Sequence, residues 1–260
     1  MALNHDPYKD TRYASNFLKE VIARVDFLSP LPGVETALPV ELSNIASRNF
    51  RIAEPRDAVQ QQVQLGPAGI SEPKERRFKE WYFHGKQRTK RLAITPDWLH
   101  VLYEKYETYD LLRSEFMEVV ERIDKVFAGV QVKRTGLRYI NSIELRGEPD
   151  PLDWSAYLNP DLLSLFRFPD QARRHSLCRV FHTIDFAFES FNLSYRLGMH
   201  NPDYPAPIRK KIFVLDLDAH TELTVETKDV GALLDQFHEA IQEYFESSIT
   251  PALRSKMNGD

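Results

Sequence analysis

Hydrophobic residues recur at helical spacing in two long segments of the chain. In YDLLRSEFMEVVERIDKVF (109–127), positions 112, 116, 119, 120, 123 and 127 form one apolar stripe. In DVGALLDQFHEAIQEYFESSI (229–249), positions 233, 237, 241 and 244 or 245 form another. Gly129 follows the first segment, where a left-handed C-terminal cap is favoured. The pattern predicts a long helix late in each half of the chain.

Shorter apolar runs with alternating positions are typical of β-strands. In EVIARVDFLSPL (20–31), Val21, Ala23, Val25 and Phe27 alternate with Ile22, Arg24 and Asp26. The segment 35–50 favours a short helix, and 154–166 favours one or two helical turns, whereas 66–77 reads as a loop. Further strands are predicted at 58–66, 80–85, 90–96, 98–107, 138–145, 178–189, 191–199, 211–218 and 223–227.

The two halves show a similar order of elements. When the chain is aligned with itself at an offset of 121 residues, Leu92 coincides with Phe213 and Thr108 coincides with Asp229. Thr108 and Asp229 both lie where a predicted long helix begins. Threonine and aspartate are both favoured N-cap residues. The order therefore indicates an internal duplication, although any two strand-then-helix segments align in a comparable way.

These patterns predict an α+β fold. Strands joined by short connections favour antiparallel pairing, and each long helix must cover a sheet face to bury its stripe. We expect a tail at 1–19 and two similar halves at 20–135 and 136–260 within one compact unit. The order resembles the duplicated TATA-binding-protein architecture, and a helix-grip fold is the alternative.

Composition narrows the functional classes. The 260 residues carry a formal charge of −4 and a pI near 6.1, which makes general nucleic-acid binding unfavourable. Cys178 is the only cysteine, so neither an intramolecular disulfide nor a multi-cysteine zinc site can form. The chain lacks a long apolar run or a signal-peptide core. We expect a cytoplasmic protein without a membrane segment or a cofactor.

The segment GLRYIN (136–141) places polar residues in a predicted strand. Arg138 offers a planar fork of donors for a carboxylate, phosphate or base edge, and Asn141 can pair with a base or an amide. Tyr139 lies between them on the opposite strand face from Arg138. Under the structural alternative, Arg138 pairs with an acidic residue and Asn141 bonds to backbone. Arg138, Tyr139 and Asn141 are therefore candidate binding residues.

The strongest local charge lies in KERRFKEWYFHGKQRTKR (74–91). This segment contains eight Lys or Arg residues and two acidic residues, Glu75 and Glu80, which is a local charge excess of +6. Cations beside stackable aromatics suit single-stranded nucleic acid, and Trp81, Lys86 and Arg88 are the candidate binding residues. The alternative is a hairpin whose lysines guard an edge strand.

Two further groups suggest chemistry weakly. Asp216, Asp218 and His220 share one face of a predicted strand, which is an arrangement that metal ligands can adopt. The alternative is a strand that ends in polar turn residues. Cys178 lies beside Arg179, which favours a thiolate, although a strand cysteine is usually an inert apolar residue.

Several segments resemble a known family. They are NFLKEVIARVDF (16–27), EWYF (80–83), RTGLRYINSIEL (134–145) and FHEAIQEYFESSITPALRSKM (237–257). Together they resemble a sporadically distributed prokaryotic family of uncharacterised proteins. The resemblance implies family membership and no particular chemistry.

The sequence shows no glycine-rich phosphate loop, serine elbow or paired-histidine zinc helix. We therefore expect a non-catalytic binding or regulatory protein that uses a sheet face or a partner interface, with self-association as one form of it. The alternatives are an enzyme with an unfamiliar polar site and a single-stranded nucleic-acid binder that uses 74–91.

Overall fold

The computed structural model describes residues 8, 11–62, 65–66, 69–70, 74–168 and 170–259. Within them the fold is α+β, with a large antiparallel sheet and helices. The strands are β1 Leu18–Phe27, β2 Ile52–Gln62, β3 Leu65–Gly66, β4 Gly69–Ile70, β5 Lys74–His84, β6 Lys90–Ile94, β7 Trp98–Tyr103, β8 Gln131–Glu144, β9 Val180–Ala187, β10 Asn192–Met199, β11 Ile212–Thr221 and β12 Val225–Glu226. The helices are α1 Val40–Asn49, α2 Tyr109–Val126, α3 Gln171–Arg174, α4 Val230–Ser248 and α5 Pro251–Asn258.

The chain divides into two compact units. One, here called the hairpin unit, comprises Ile22–Gly136 and Glu222–Leu234. The other, here called the edge unit, comprises Met1–Val21, Leu137–Thr221 and Asp235–Asp260.

The sheet of the hairpin unit has the strand order β2-β5-β6-β7-β1. The predicted stripe of α2 is buried from Leu112 to Ile123, whereas Phe127 lies beyond the helix and is half-buried. Thr108 caps the helix by accepting a hydrogen bond from the Leu111 N–H at 3.2 Å. Inward-facing strand residues meet that stripe to form the core. The core includes Ala23, Val25, Phe27, Leu92, Ile94, Leu99, Val101, Leu112, Phe116, Val120 and Ile123.

The edge unit has the strand order β8-β11-β10-β9. Buried and half-buried residues alternate along β8, as a sheet with one covered face requires. The core of this unit contains Leu137, Ile143, Leu193, Tyr195, Leu197, Phe213, Leu215, Leu217, Phe237, Ile241 and Leu253.

Two local expectations need correction. The loop expected at 66–77 contains strand residues: β3 pairs with β4 around its beginning, and residues 74–77 belong to β5 and pair with β2. Backbone pairing suits this polar segment because its side chains can remain at the surface. In α4 the stripe expected to start at Leu233 instead uses Leu234, which is fully buried.

The final helix, α5, was not predicted. Its signals are nevertheless local: Thr250 accepts a hydrogen bond from the Leu253 N–H, Pro251 occupies the first turn, and Gly259 ends the helix with φ of 86°. The helix is only eight residues long, which makes its apolar stripe short.

Candidate functional site

The β5–β6 hairpin carries the basic segment 74–91 and separates its aromatic residues between two sheet faces. Phe83 lies opposite Leu92, and both are buried in the core. Tyr82 and His84 alternate with Phe83, so they lie on the opposite face. His84 lies opposite Arg91, which in turn lies opposite Leu102 of β7. The register therefore gathers His84, Arg91 and Leu102 in one row.

The three residues predicted in this hairpin have different environments. Trp81 is half-buried and donates its indole N–H to the Val34 carbonyl at 2.8 Å, which is a structural role. Lys86 is exposed in the turn. Arg88 has a left-handed φ of 58° and forms a hydrogen-bonded ion pair with Glu54. Trp81 and Arg88 are thus engaged within the protein.

A small pocket opens at the turn end of this hairpin. It offers about 120 Å³, which is the liquid volume of about four waters, and therefore suits one small anionic group rather than a large ligand. Four of its lining residues have basic side chains and one is acidic. The lining residues are His84, Arg88, Lys90, Arg91, Leu102 and Glu104.

Two nitrogens of this lining are buried without a partner. Neither Nε of Arg91 nor Nε2 of His84 has a hydrogen-bond partner among the described residues. His84 Nε2 lies 3.4 Å from a Glu54 carboxylate oxygen, but the contact lacks hydrogen-bond geometry. Burial lowers the pKa of His84 below its usual 6.5, and this effect outweighs the opposing influence of Glu54. His84 is therefore neutral near pH 7 in the free protein.

The basic residues of the pocket differ in whether their charge is compensated. Lys90 donates to Glu115 of α2, a carboxylate that is only 6% exposed. Arg88 pairs with Glu54, as described above. Arg91 has no carboxylate within ion-pair distance in the described part of the chain, which leaves its guanidinium the least compensated charge of the lining.

An aromatic cluster continues the same sheet face away from the pocket. The rings of Trp98 and His100 stack at a centroid distance of 4.9 Å, and the Arg24 guanidinium lies 5.0 Å from the Trp98 centroid. The Tyr82 ring lies 6.5 Å from that of His84. Burial, reinforced by the cations Arg91 and Arg24, lowers the pKa of His100 to about 3. This face therefore keeps its histidines neutral.

Arg138 of the GLRYIN segment is held by a carboxylate. Its Nε and Nη2 atoms donate to the two oxygens of Asp216 at 2.7 and 2.6 Å. The hydrogen bond to Asp216 raises the pKa of Arg138 above its usual value. Arg196 approaches the same carboxylate at 3.9 Å. The fork that was a candidate for ligand recognition is thus occupied by a side chain of the protein.

Tyr139 and Asn141 lie on the covered face of β8. The Tyr139 hydroxyl lies 3.2 Å from Nδ1 of His238. Asn141 is 4% exposed and donates to the Leu215 carbonyl at 3.4 Å. Both side chains therefore make internal polar contacts, as the structural alternative requires.

The remaining candidates do not converge. Asp216 is engaged by Arg138, and Asp218 and His220 follow it at alternate positions of β11. In the described residues no three His, Cys, Asp or Glu side chains form a group that could hold a metal ion. Cys178 is a half-buried free thiol whose backbone carbonyl accepts a hydrogen bond from Asn201.

Sequence reasoning did not single out His84 and Arg91. The residues lie seven apart, and only the hairpin register places them opposite each other. The sequence signal was the pair of predicted strands at 80–85 and 90–96, with Gly85 and polar residues between them, which indicates a hairpin without fixing its register.

No protein-family model and no curated protein sequence matches the chain. Among the described residues, no helix is both long and apolar enough to cross a membrane.

Proposed function

We propose that this protein is a non-catalytic binding protein that recognises a small anionic group, a phosphate or a carboxylate, in the hairpin pocket. One observation carries the proposal. Arg91 Nε and His84 Nε2 are two of the buried side-chain atoms without a hydrogen-bond partner among the described residues, and the hairpin register places their residues opposite each other at the pocket. Buried polar atoms nearly always have a hydrogen-bond partner, so two buried nitrogens that lack one in a basic pocket are well explained by a ligand.

The charge and size of the pocket support an anion. Arg91 supplies an uncompensated guanidinium, and charge-assisted hydrogen bonds to phosphate or carboxylate are about twice as strong as neutral ones. A volume of about 120 Å³ admits one such group, while the remainder of a larger ligand would extend over the neighbouring aromatic sheet face. Among the described residues, no hydroxyl or thiol side chain lines the pocket, and its lysine, Lys90, is held by Glu115, which favours binding over catalysis.

The test is an anion titration of the purified chain by isothermal titration calorimetry with inorganic phosphate and with sulfate. Arg91→Gln should weaken binding about tenfold or more, because it removes a charged donor. Arg77→Gln is the matched control: Arg77 lies on the same hairpin, is 81% exposed and does not line the pocket. The control should bind as the wild type does.

The pH dependence follows from the lowered pKa of His84. A bound anion favours the protonated ring, so sulfate affinity should increase as pH falls below about 6.5, by at most about tenfold per unit. Sulfate is the probe because its own charge stays constant over this range. In His84→Gln the pH dependence should be lost. Failure of the wild type to bind either anion, or equal losses in both arginine variants, would contradict the proposal.

A single-stranded nucleic-acid binder is less well supported by the same hairpin. Arg76 pairs with Asp97 at 2.7 Å and Arg88 pairs with Glu54, which reduces the local excess of positive charge. Trp81 and Phe83 lie towards the core rather than on a stacking platform. Submicromolar, salt-sensitive binding to single strands would favour this alternative.

An enzyme that uses Arg138, Asn141, Asp216 and Asp218 is also less well supported. Arg138 and Asp216 satisfy each other, and Asn141 is directed at backbone. Such mutual satisfaction is typical of structural polar groups.

We also propose that the two halves arose by duplication, in an arrangement like that of the TATA-binding protein, with the helix-grip fold as the alternative. The support is the order of neighbouring strands. In the first half, the first strand, β1, lies beside β7, the strand that precedes the long helix α2. In the second half, the first strand, β8, lies beside β11, the last long strand before the helix α4. The spacing of 121 residues is not part of this support, because it aligns Leu92 of β6, and not β7, with β11. Membership of the sporadically distributed prokaryotic family stays a proposal that rests on the GLRYIN-type segments.

A further inference from the structure

The edge unit ends in a strand with little protection against pairing. Among the described residues, β9 pairs with β10 on one side and with no strand on the other. Sheet edges are usually protected by charges or proline. In β9 the single charged residue is Asp185, whereas β2, the outer strand of the hairpin unit, contains Pro55, Arg56 and Asp57. The outer edge of β9 therefore remains competent for strand addition.

Exposed apolar side chains lie at both ends of this edge. Near its beginning, Phe181 is 44% exposed, and the rings of His182 and Phe166 lie 4.6 Å apart between centroids. Leu165 and Phe168, within two residues of Phe166 in sequence, are 62% and 88% exposed. We call this the first patch. Large exposed apolar groups that cluster are a mark of protein interaction surfaces.

The second patch lies towards the end of β9. Phe186 contacts the Tyr244 ring of α4 at 4.5 Å, and Phe188 contacts Phe191 at 4.6 Å. Ile184 and Phe188 are each 38% exposed. The two patches thus lie at opposite ends of one open strand.

We propose that two copies of this chain associate by antiparallel pairing of β9 with β9, about a two-fold axis at Ile184. This register places Phe186 opposite the partner's His182. It therefore brings the second patch of each copy to the first patch of the other. An isologous contact of this kind closes as a dimer and covers both patches and both strand edges.

Repulsion between like charges disfavours a neighbouring register. With the axis at Ile184, Asp185 lies opposite the partner's Thr183, which can donate a hydrogen bond to it. A shift that places the axis at Asp185 would set the two carboxylates against each other, which is destabilising across a strand pair. Asp185 already accepts a hydrogen bond from Ser194 at 2.6 Å, so its position on the sheet face is fixed.

Analytical ultracentrifugation of the full chain tests the proposal, with two opposite charges placed at one exposed position. Thr183→Glu sets two carboxylates across the interface and should weaken the dimer about tenfold or more, because the unfavourable pair occurs twice. Thr183→Lys sets an ammonium against Asp185 and should leave the dimer as tight as, or tighter than, the wild type. Thermal melts establish that both variants fold.

A second variant tests the strand centre. Ile184→Lys should give a folded monomer, while Val59→Lys on β2, where Val59 is 56% exposed, should remain dimeric. A wild type that is monomeric at the highest soluble concentration would overturn the proposal, as would equal effects of Thr183→Glu and Thr183→Lys. Arg91→Gln should keep the dimer, so failure here is distinct from failure of the anion pocket.

Discussion

Asn141 illustrates how a polar residue in a strand can be structural. It shares the covered face of β8 with apolar neighbours, and its amide donates to the Leu215 carbonyl. A buried polar group that keeps its partner is tolerated, whereas a backbone acceptor that loses its partner carries a desolvation cost.

Asn141→Leu should therefore lower the free energy of unfolding by about 1–3 kcal/mol, the range for an orphaned buried group. Asn192→Leu is the control, because Asn192 is an exposed strand residue, and it should change stability by less than about 0.5 kcal/mol. Urea denaturation measures both values. Equal changes in the free energy of unfolding in the two variants would mean that the hydrogen bond to Leu215 does not contribute to stability.

His100 gives the second prediction at residue scale. Its folded pKa is about 3, whereas an unfolded histidine titrates near 6.5. Between these values the unfolded chain binds the additional proton. The stabilisation is complete above about pH 6.5 and is lost progressively as pH falls towards 3, with a slope of up to about 1.4 kcal/mol per unit.

Urea melts across this range should therefore show a shallower acid slope for His100→Gln than for the wild type. His175→Gln, at an exposed position, should keep the wild-type slope. An unchanged slope in His100→Gln would show that other groups dominate the acid sensitivity.

At the scale of elements, the β9–β10 pair depends on a glycine. Gly198 lies opposite Phe181, and a Cβ at this position would lie 2.2 Å from the Val180 carbonyl oxygen and 2.8 Å from the Phe181 Cα. Backbone atoms cannot yield as a side chain can. The close approach of the two strands therefore requires glycine.

Gly198→Ala should destabilise the protein by about 1–3 kcal/mol through overpacking against backbone. Gly231→Ala is the matched control in α4, where the nearest obstacle is the flexible Arg113 side chain at 2.9 Å, and alanine is the better helix former. The control should keep or raise the melting temperature. A stable Gly198→Ala variant would show that the strands can separate without cost.

At the scale of the whole molecule, charge is divided unevenly. The chain is net acidic at −4, while the segment 74–91 carries an excess of +6. The structure pairs several of these cations with carboxylates distant in sequence, such as Arg76 with Asp97 and Lys90 with Glu115. A local charge count therefore overstates the positive surface of the hairpin, and it does not identify Arg91 as the least compensated charge of the pocket lining.

The sequence by itself determined the type of element at most places, because helices and buried strands carry periodic apolar patterns. The stripe of α2 and the alternation around Tyr139 and Asn141 are local properties, and both predictions were confirmed. The α+β class with a large antiparallel sheet followed from the same signals.

Tertiary structure alone decided which residues face one another. Arg138 and Asp216 are 78 residues apart, and His84 meets Arg91 only through the register of a hairpin. Apolar periodicity sets which face a side chain takes, but partner choice depends on strand order and register, which are fixed by the packing of the whole sheet. The pocket and the open edge of β9 therefore became visible only when the strands were placed in order.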